Sequence, residues 1–173
     1  MNILLGVTGS VAAKLNPKLE MALVDAGYVV KTVLTESAKR FTYSTQTSYD
    51  DEDEWRYYNE NSTVLHIDLV KWADVFVIAP CTANTLSKIE VGICDNLLTC
   101  CVRAWPHKDK RNIILAPAMN TCMWDKTHVH RQYDNLCLRG DYSWIPPVEK
   151  TLFCGDTGIG AMADIDTIVE RIK

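Results

Sequence analysis

Seven cysteines and four histidines are the side chains here most able to move protons or attack a substrate. Cys154 stands in "FCGDTGIGAMAD", residues 153–164, where Gly155, Gly158 and Gly160 favour a backbone that can close and reopen. A thiol on such a loop is either one more buried cysteine or one placed to do chemistry, whereas the other six cysteines, several in apolar runs, read as small apolar fillers. The odd count, and an N-terminus "MNILLGVTGS" without a basic leader, point to reduced thiols in a cytoplasmic protein. No Cys-x-x-Cys pair occurs, and no histidine stands near a cysteine at zinc-site spacing, so no metal is expected.

These residues need a scaffold, and 173 residues with 47% hydrophobic content suffice for one domain, residues 1–173, with a sizeable core. "NILLGV" reads as a strand, and "SVAAKLNPKLEMALVDAG" as a helix that becomes regular near Pro17 and stops at Gly27. "YVVKTVLT" is a second strand, after which "ESAKRF" could start a helix. Residues 42–63, "TYSTQTSYDDEDEWRYYNENST", lack core periodicity and read as a long acidic surface excursion. "DVFVIAP" and "RNIILAP" are continuous apolar strands of the kind buried on both faces in a parallel sheet. Helical patterns lie between them, interrupted near Gly92, and after them in "TCMWDKTHVHRQYDNLCLRG"; the last is "DIDTIVERIK". Alternating strands and helices predict an α/β fold: an open, doubly wound, mostly parallel sheet in a Rossmann/flavodoxin-like three-layer sandwich.

In that fold, ligands bind beyond the carboxyl ends of the strands. Four loops reach that edge: "GVTGSVAA", "TESAKRF", "APCTANT" and "APAMN". Their hydroxyls, amides and backbone N–H groups at helix starts suit a phosphate, so a mononucleotide is expected. The first loop is neither the Gly-x-Gly-x-x-Gly fingerprint nor a P-loop. A net charge of −4 with scattered basic residues argues against nucleic acid, and no run approaches the about 18 apolar residues that span a bilayer.

Together with these loops, "HIDLVKWADVFVIAPCTANTLSKI", "GICDNLLTCCVRAW", "APAMNTCMW" and "CGDTGIGAMAD" resemble the homo-oligomeric flavin-containing cysteine decarboxylases, in order and over nearly the whole chain. The resemblance implies FMN as cofactor and a homotrimer with the flavin near a subunit interface. It assigns flavin binding to Gly9, Ser10, Val11, Thr35, Ser37, Thr82, Ala83, Asn84, Thr85 and Ala118. It implies oxidation of a cysteine CH2–SH group to a thioaldehyde, an electron sink that lets CO2 leave and yields an enethiol. His66 is then the base, and Asn120 orients the substrate's carboxylate or amide. Met123 packs against substrate, and Cys154 protonates the enethiol as it is reduced.

The cysteine at 154 favours the coenzyme A branch, which converts 4'-phosphopantothenoylcysteine to 4'-phosphopantetheine without net redox change. The peptidyl-cysteine decarboxylases, which release the oxidised enethiol, are the alternative within the family. Relatives carry an Arg-Arg pair where this chain has Val70 and Lys71; Lys71 keeps a charge for an anionic part of the substrate but loses the bidentate fork. Prenyl-flavin synthases share the flavin loops without the combination of His66, Asn120 and Cys154. Flavin-binding regulators of the phosphatase-inhibitor type carry an acidic tail, where this sequence ends in "VERIK". Trp55, in the acidic excursion, could cover a neighbouring subunit's flavin or face solvent.

Overall fold

The computed structural model describes residues 1–61, 63–106, 113–151, 155 and 157–173. Six parallel strands form the central sheet among them: β1 (Asn2–Val7), β2 (Val29–Leu34), β3 (Thr47–Tyr49), β4 (Val75–Cys81), β5 (Ile113–Pro117) and β6 (Tyr142–Trp144). Their spatial order is β3-β2-β1-β4-β5-β6. The chain winds outward one way from β1 through β3, then returns to β1's other side at β4 and winds the opposite way. The strand order therefore reverses between β1 and β4, where a doubly wound sheet opens a crevice.

Alternation along the strands feeds two cores. Ile3, Leu5 and Val7 of β1, with Val77 and Ile114, pack on one face under Leu19 and Leu23 of α1 (Asn16–Asp25) and Ile168 and Ile172 of α8 (Ile165–Ile172). Leu4, Phe76, Ile78, Ile113 and Leu115 face the other way. They meet α3 (Leu65–Trp72), α4 (Ala83–Val91), α5 (Leu97–Arg103) and α7 (Thr127–Leu138). This is the three-layer doubly wound architecture expected from the sequence. A 3-10 turn, Val11–Leu15, precedes α1, whose Pro stands in its first turn, where the missing N–H costs nothing.

The stretch 42–63 corrects the expectation of an irregular excursion. It supplies the edge strand β3 and then the helix α2 (Asp51–Asn61). Asp50 Oδ1 accepts from the N–H groups of Glu52 (3.0 Å) and Asp53 (3.2 Å), and Asp53 Oδ2 accepts from Asp50 N–H at 2.9 Å. The acidic run is thus a reciprocal cap and a first turn of carboxylates facing the positive end of the helix dipole. Trp55 lies on α2 and is 71% exposed, while Tyr57 packs against the core.

"ESAKRF" forms only a 3-10 turn, Ala38–Arg40. Part of the glycine-rich stretch is strand β8 (Thr157–Ala161), paired antiparallel with β7 (Val148–Thr151) in a separate hairpin. Cys81 and Cys101 are buried as expected of fillers, but Cys94, Cys122 and Cys137 are exposed. Burial raises the Cys81 thiol to about 12, so it stays protonated. Among the described residues, no helix is long and apolar enough to cross a membrane.

Candidate active site

A cleft of about 440 Å³ lies where the strand order reverses. Gly9 and Ser10 after β1, Thr35 and Ser37 after β2, Thr82 to Thr85 after β4 and Ala118 after β5 line it together. Buried Thr8 ties two of these loops: its Oγ1 donates to Pro80 O at 2.7 Å and accepts from Thr82 N–H at 3.0 Å. Gly9 is required for a second tie, since a Cβ there would collide with the Ser37 Cβ. The β1 and β2 loops can approach so closely only without a side chain at this point.

Most donors in the cleft are neutral, and they are numerous. Thr82 caps α4, its Oγ1 accepting from Thr85 N–H at 3.3 Å, and so sets the positive end of that helix at the cleft. Ser10 caps the turn after β1 in the same way, accepting from Ala12 N–H at 3.3 Å. Thr35 Oγ1 donates to Val7 O at 3.3 Å, and Asn84 is exposed at the start of α4. Hydroxyls, two amides and a helix N-terminus fit a phosphorylated ring system better than a metal. Glu36, Asp51, Lys88 and Asn96, which sequence reasoning missed, complete the lining with Met119 and Met123. Lys88 is held by Asp95 through two contacts, of 2.8 and 2.7 Å.

A second cleft of about 410 Å³ shares a wall with the first, formed by Ser10, Ala118 and Met119. Its lining is largely apolar, including Val11, Leu15 and Met162, with Asn120 and Lys150 as polar groups. Val11 opens here rather than into the first cleft, whereas Met123 lines the first. Asn120 caps the short helix α6 (Thr121–Trp124), its Oδ1 accepting from Cys122 N–H at 2.8 Å. The β8 strand closes the site from below: Met119 N–H donates to Gly160 O at 2.9 Å. Gly160 has φ +152°, and a Cβ there would meet Met119 O, so only glycine lets the hairpin lie against the 118–120 loop.

His66 opens on neither cleft. It stands in the first turn of α3, with its Nδ1 2.7 Å from Glu54 Oε1. Lys71, five residues on along the same helix, is exposed and also outside both clefts. Five residues turn a helix by about 140° beyond a full circle, so these two side chains leave α3 in different directions. Cys154 lies outside the described residues. Among the described residues, no cluster of three or more His, Cys, Asp or Glu side chains could hold a metal ion.

Comparison with known proteins places this geometry. Residues 1–173 match the family described as Flavoprotein. The chain belongs to that family. It is similar to phosphopantothenoylcysteine decarboxylase of Mus musculus, 49% identical over 177 residues that take in 99% of this chain and 85% of the relative. Among solved structures, a cysteine-to-serine mutant of PPC decarboxylase complexed with pantothenoylaminoethenethiol superposes with a TM-score of 0.91 at 42% identity. That match covers 99% of this chain and 95% of the other. The FMN binding protein AtHal3 matches with a TM-score of 0.88 at 42% identity, covering 99% of this chain and 94% of its own.

Proposed function

We propose that this protein is a cytoplasmic, single-domain phosphopantothenoylcysteine decarboxylase, converting 4'-phosphopantothenoylcysteine to 4'-phosphopantetheine and CO2 with FMN as cofactor, in coenzyme A biosynthesis. The observation that carries this reading is the pair of clefts with a shared wall. A polar one suits a flavin mononucleotide, and an apolar one with an amide and a lysine suits an extended acyl-cysteine beside it. Bound in the polar cleft, the flavin supplies reversible two-electron chemistry at the substrate's CH2–SH group.

The chain's own residues orient, exclude and protonate. Ser10, Ser37, Thr82, Asn84 and Thr85 hold the cofactor by neutral hydrogen bonds, with the α4 N-terminus favouring its phosphate. Asn120 holds the substrate's carboxylate or amide against the shared wall. The substrate loses two electrons and two protons to form the thioaldehyde, His66 acting as the base. CO2 then leaves with the C–C electron pair moving toward sulfur. Cys154 gives the enethiol carbon its proton as the two electrons return, so the overall reaction is redox-neutral. Lys71 and Lys150 answer the substrate's anionic groups.

His66 opens on neither cleft within one chain, which supports a homotrimer in which α3 of one subunit faces the clefts of the next. The test is to incubate the FMN-loaded protein with 4'-phosphopantothenoylcysteine and weigh the product. Loss of CO2 alone is expected. A product lighter by two further hydrogens would place the protein with the oxidative peptidyl-cysteine decarboxylases, and no turnover with flavin bound would leave only a regulatory flavin-binding role.

A further inference from the structure

We propose that Glu54 is the positioning residue of His66, holding the imidazole with Nδ1 protonated and leaving Nε2 as the nitrogen that accepts a proton. The inference deepens the reading of His66 as the base, and rests on it. It is carried by a two-point grip from a different helix. Glu54 Oε1 lies 2.7 Å from His66 Nδ1, and Glu54 Oε2 accepts from the His66 backbone N–H at 3.1 Å. A carboxylate can only accept, so the imidazole must present its Nδ1 hydrogen to it. The other ring nitrogen then carries the lone pair that a base needs.

The grip fixes more than a tautomer. Val64 at the start of α3 offers no side-chain cap, so the N–H of His66 would lack a partner within its own helix. Glu54 fills that role from α2, and so orients the ring and its backbone together. Both side chains are withdrawn from solvent, His66 to 24% and Glu54 to 19% exposure, where the interaction is less screened than at an open surface. Cys101 Sγ lies 3.9 Å from the His66 carbonyl. Burial first, and then the nearby Glu54 carboxylate, raise the Cys101 thiol. Burial, Cys94 and then Glu54 raise Cys100 to about 11. Neither thiol competes for the imidazole's proton.

A purely architectural role for Glu54 makes a different prediction, because α2 and α3 have a second tie of similar kind. Tyr57 Oη donates to Asp68 Oδ2 at 3.1 Å, one turn along from Glu54 on the same helix. If Glu54 served only to dock the helices, breaking that bond would do comparable harm.

The experiment uses the FMN-loaded full chain as wild type, Glu54→Gln, Tyr57→Phe and His66→Asn. It follows decarboxylation kinetics, flavin absorbance and the imidazole 15N signals of His66. Glutamine keeps the shape but loses the charge and can offer an N–H instead of an acceptor. Glu54→Gln is therefore expected to lower kcat about 10- to 100-fold, with KM and bound flavin changed less than about 2-fold. The His66 nitrogen signals should move away from a single Nδ1-protonated tautomer. Tyr57→Phe should keep kcat within about 2-fold of wild type. Unchanged kcat or unchanged nitrogen signals in Glu54→Gln would overturn the proposal, as would an equal loss in Tyr57→Phe. An inactive His66→Asn beside a fully active Glu54→Gln removes Glu54 alone. A fully active His66→Asn removes the base, and Glu54's role with it.

Discussion

Glu20 on α1 and Glu54 on α2 are two carboxylates drawn in from solvent on opposite faces of the sheet, and their partners give them opposite jobs. Glu20 is fully buried, and its partners among the described residues are neutral donors. It accepts from Thr32 Oγ1 (2.6 Å), Ser44 Oγ (2.6 Å), Thr45 N–H (2.6 Å), Thr45 Oγ1 (2.7 Å) and Asn16 Nδ2 (3.0 Å). These donors come from α1, β2 and the loop before β3, so Glu20 staples three segments into one. Among the described residues, Glu54 makes two hydrogen bonds, both to one residue, and that residue is a histidine. A carboxylate surrounded by hydroxyls is a structural member, whereas one facing an imidazole sets a protonation state.

The comparison breaks most visibly if Glu20 is removed. Glu20→Ala leaves Thr32 buried without its acceptor and releases the loop that leads to β3. The expected loss is about 3–4 kcal/mol, several charge-assisted hydrogen bonds being replaced by unsatisfied donors. A lower urea midpoint with an unchanged slope would show it, and a loss under about 1 kcal/mol would contradict the staple.

Acid gives the next largest effect. Burial alone would raise the pKa of Glu20, but hydrogen bonds from Ser44, Thr32 and Thr45 outweigh it and leave it below the ordinary 4.5. A lowered folded-state pKa means that the stabilisation is fully present above 4.5 and is lost as pH falls through the folded value. Thermal stability of the wild type should therefore fall more steeply than that of Glu20→Gln below pH 4.5. Parallel curves would mean that Glu20 does not titrate between the two states.

At the other carboxylate, stability and turnover should separate. Glu54→Gln is expected to change unfolding free energy by less than about 1 kcal/mol, because the pair is partly exposed and two-membered. The kinetic loss described above is then not a folding loss. The smallest effect belongs to a neutral oxygen: Thr82→Val removes the α4 cap at a cost of about 1 kcal/mol and should weaken FMN binding about 5-fold. Flavin titration followed by fluorescence would detect it, and unaltered affinity would argue that backbone N–H groups alone hold the cofactor.

The two regions also differ in how far they could be read from the residues. The cleft-lining loops are legible because each follows an apolar strand, and small or polar residues at four strand ends admit few arrangements. Glu54 stands inside "DDEDEW", whose composition reads as acidic surface. The signal for α2 was present there, since Asp50 followed three residues later by Asp53 is a helix start, but the polar residues after it masked the helix. Gly160 likewise looked like loop freedom and instead permits a strand to touch Met119.

Sequence by itself determined the α/β class, the carboxyl-edge loops and the side chains able to donate to a phosphorylated cofactor, because these depend on local periodicity and residue chemistry. Tertiary structure alone decided that β1 and β4 flank the crevice, that two clefts share the wall of Ser10, Ala118 and Met119, and that Glu54 grips His66 twelve residues away. Such pairings arise from how helices pack across a sheet. No local pattern encodes which acceptor will meet which ring.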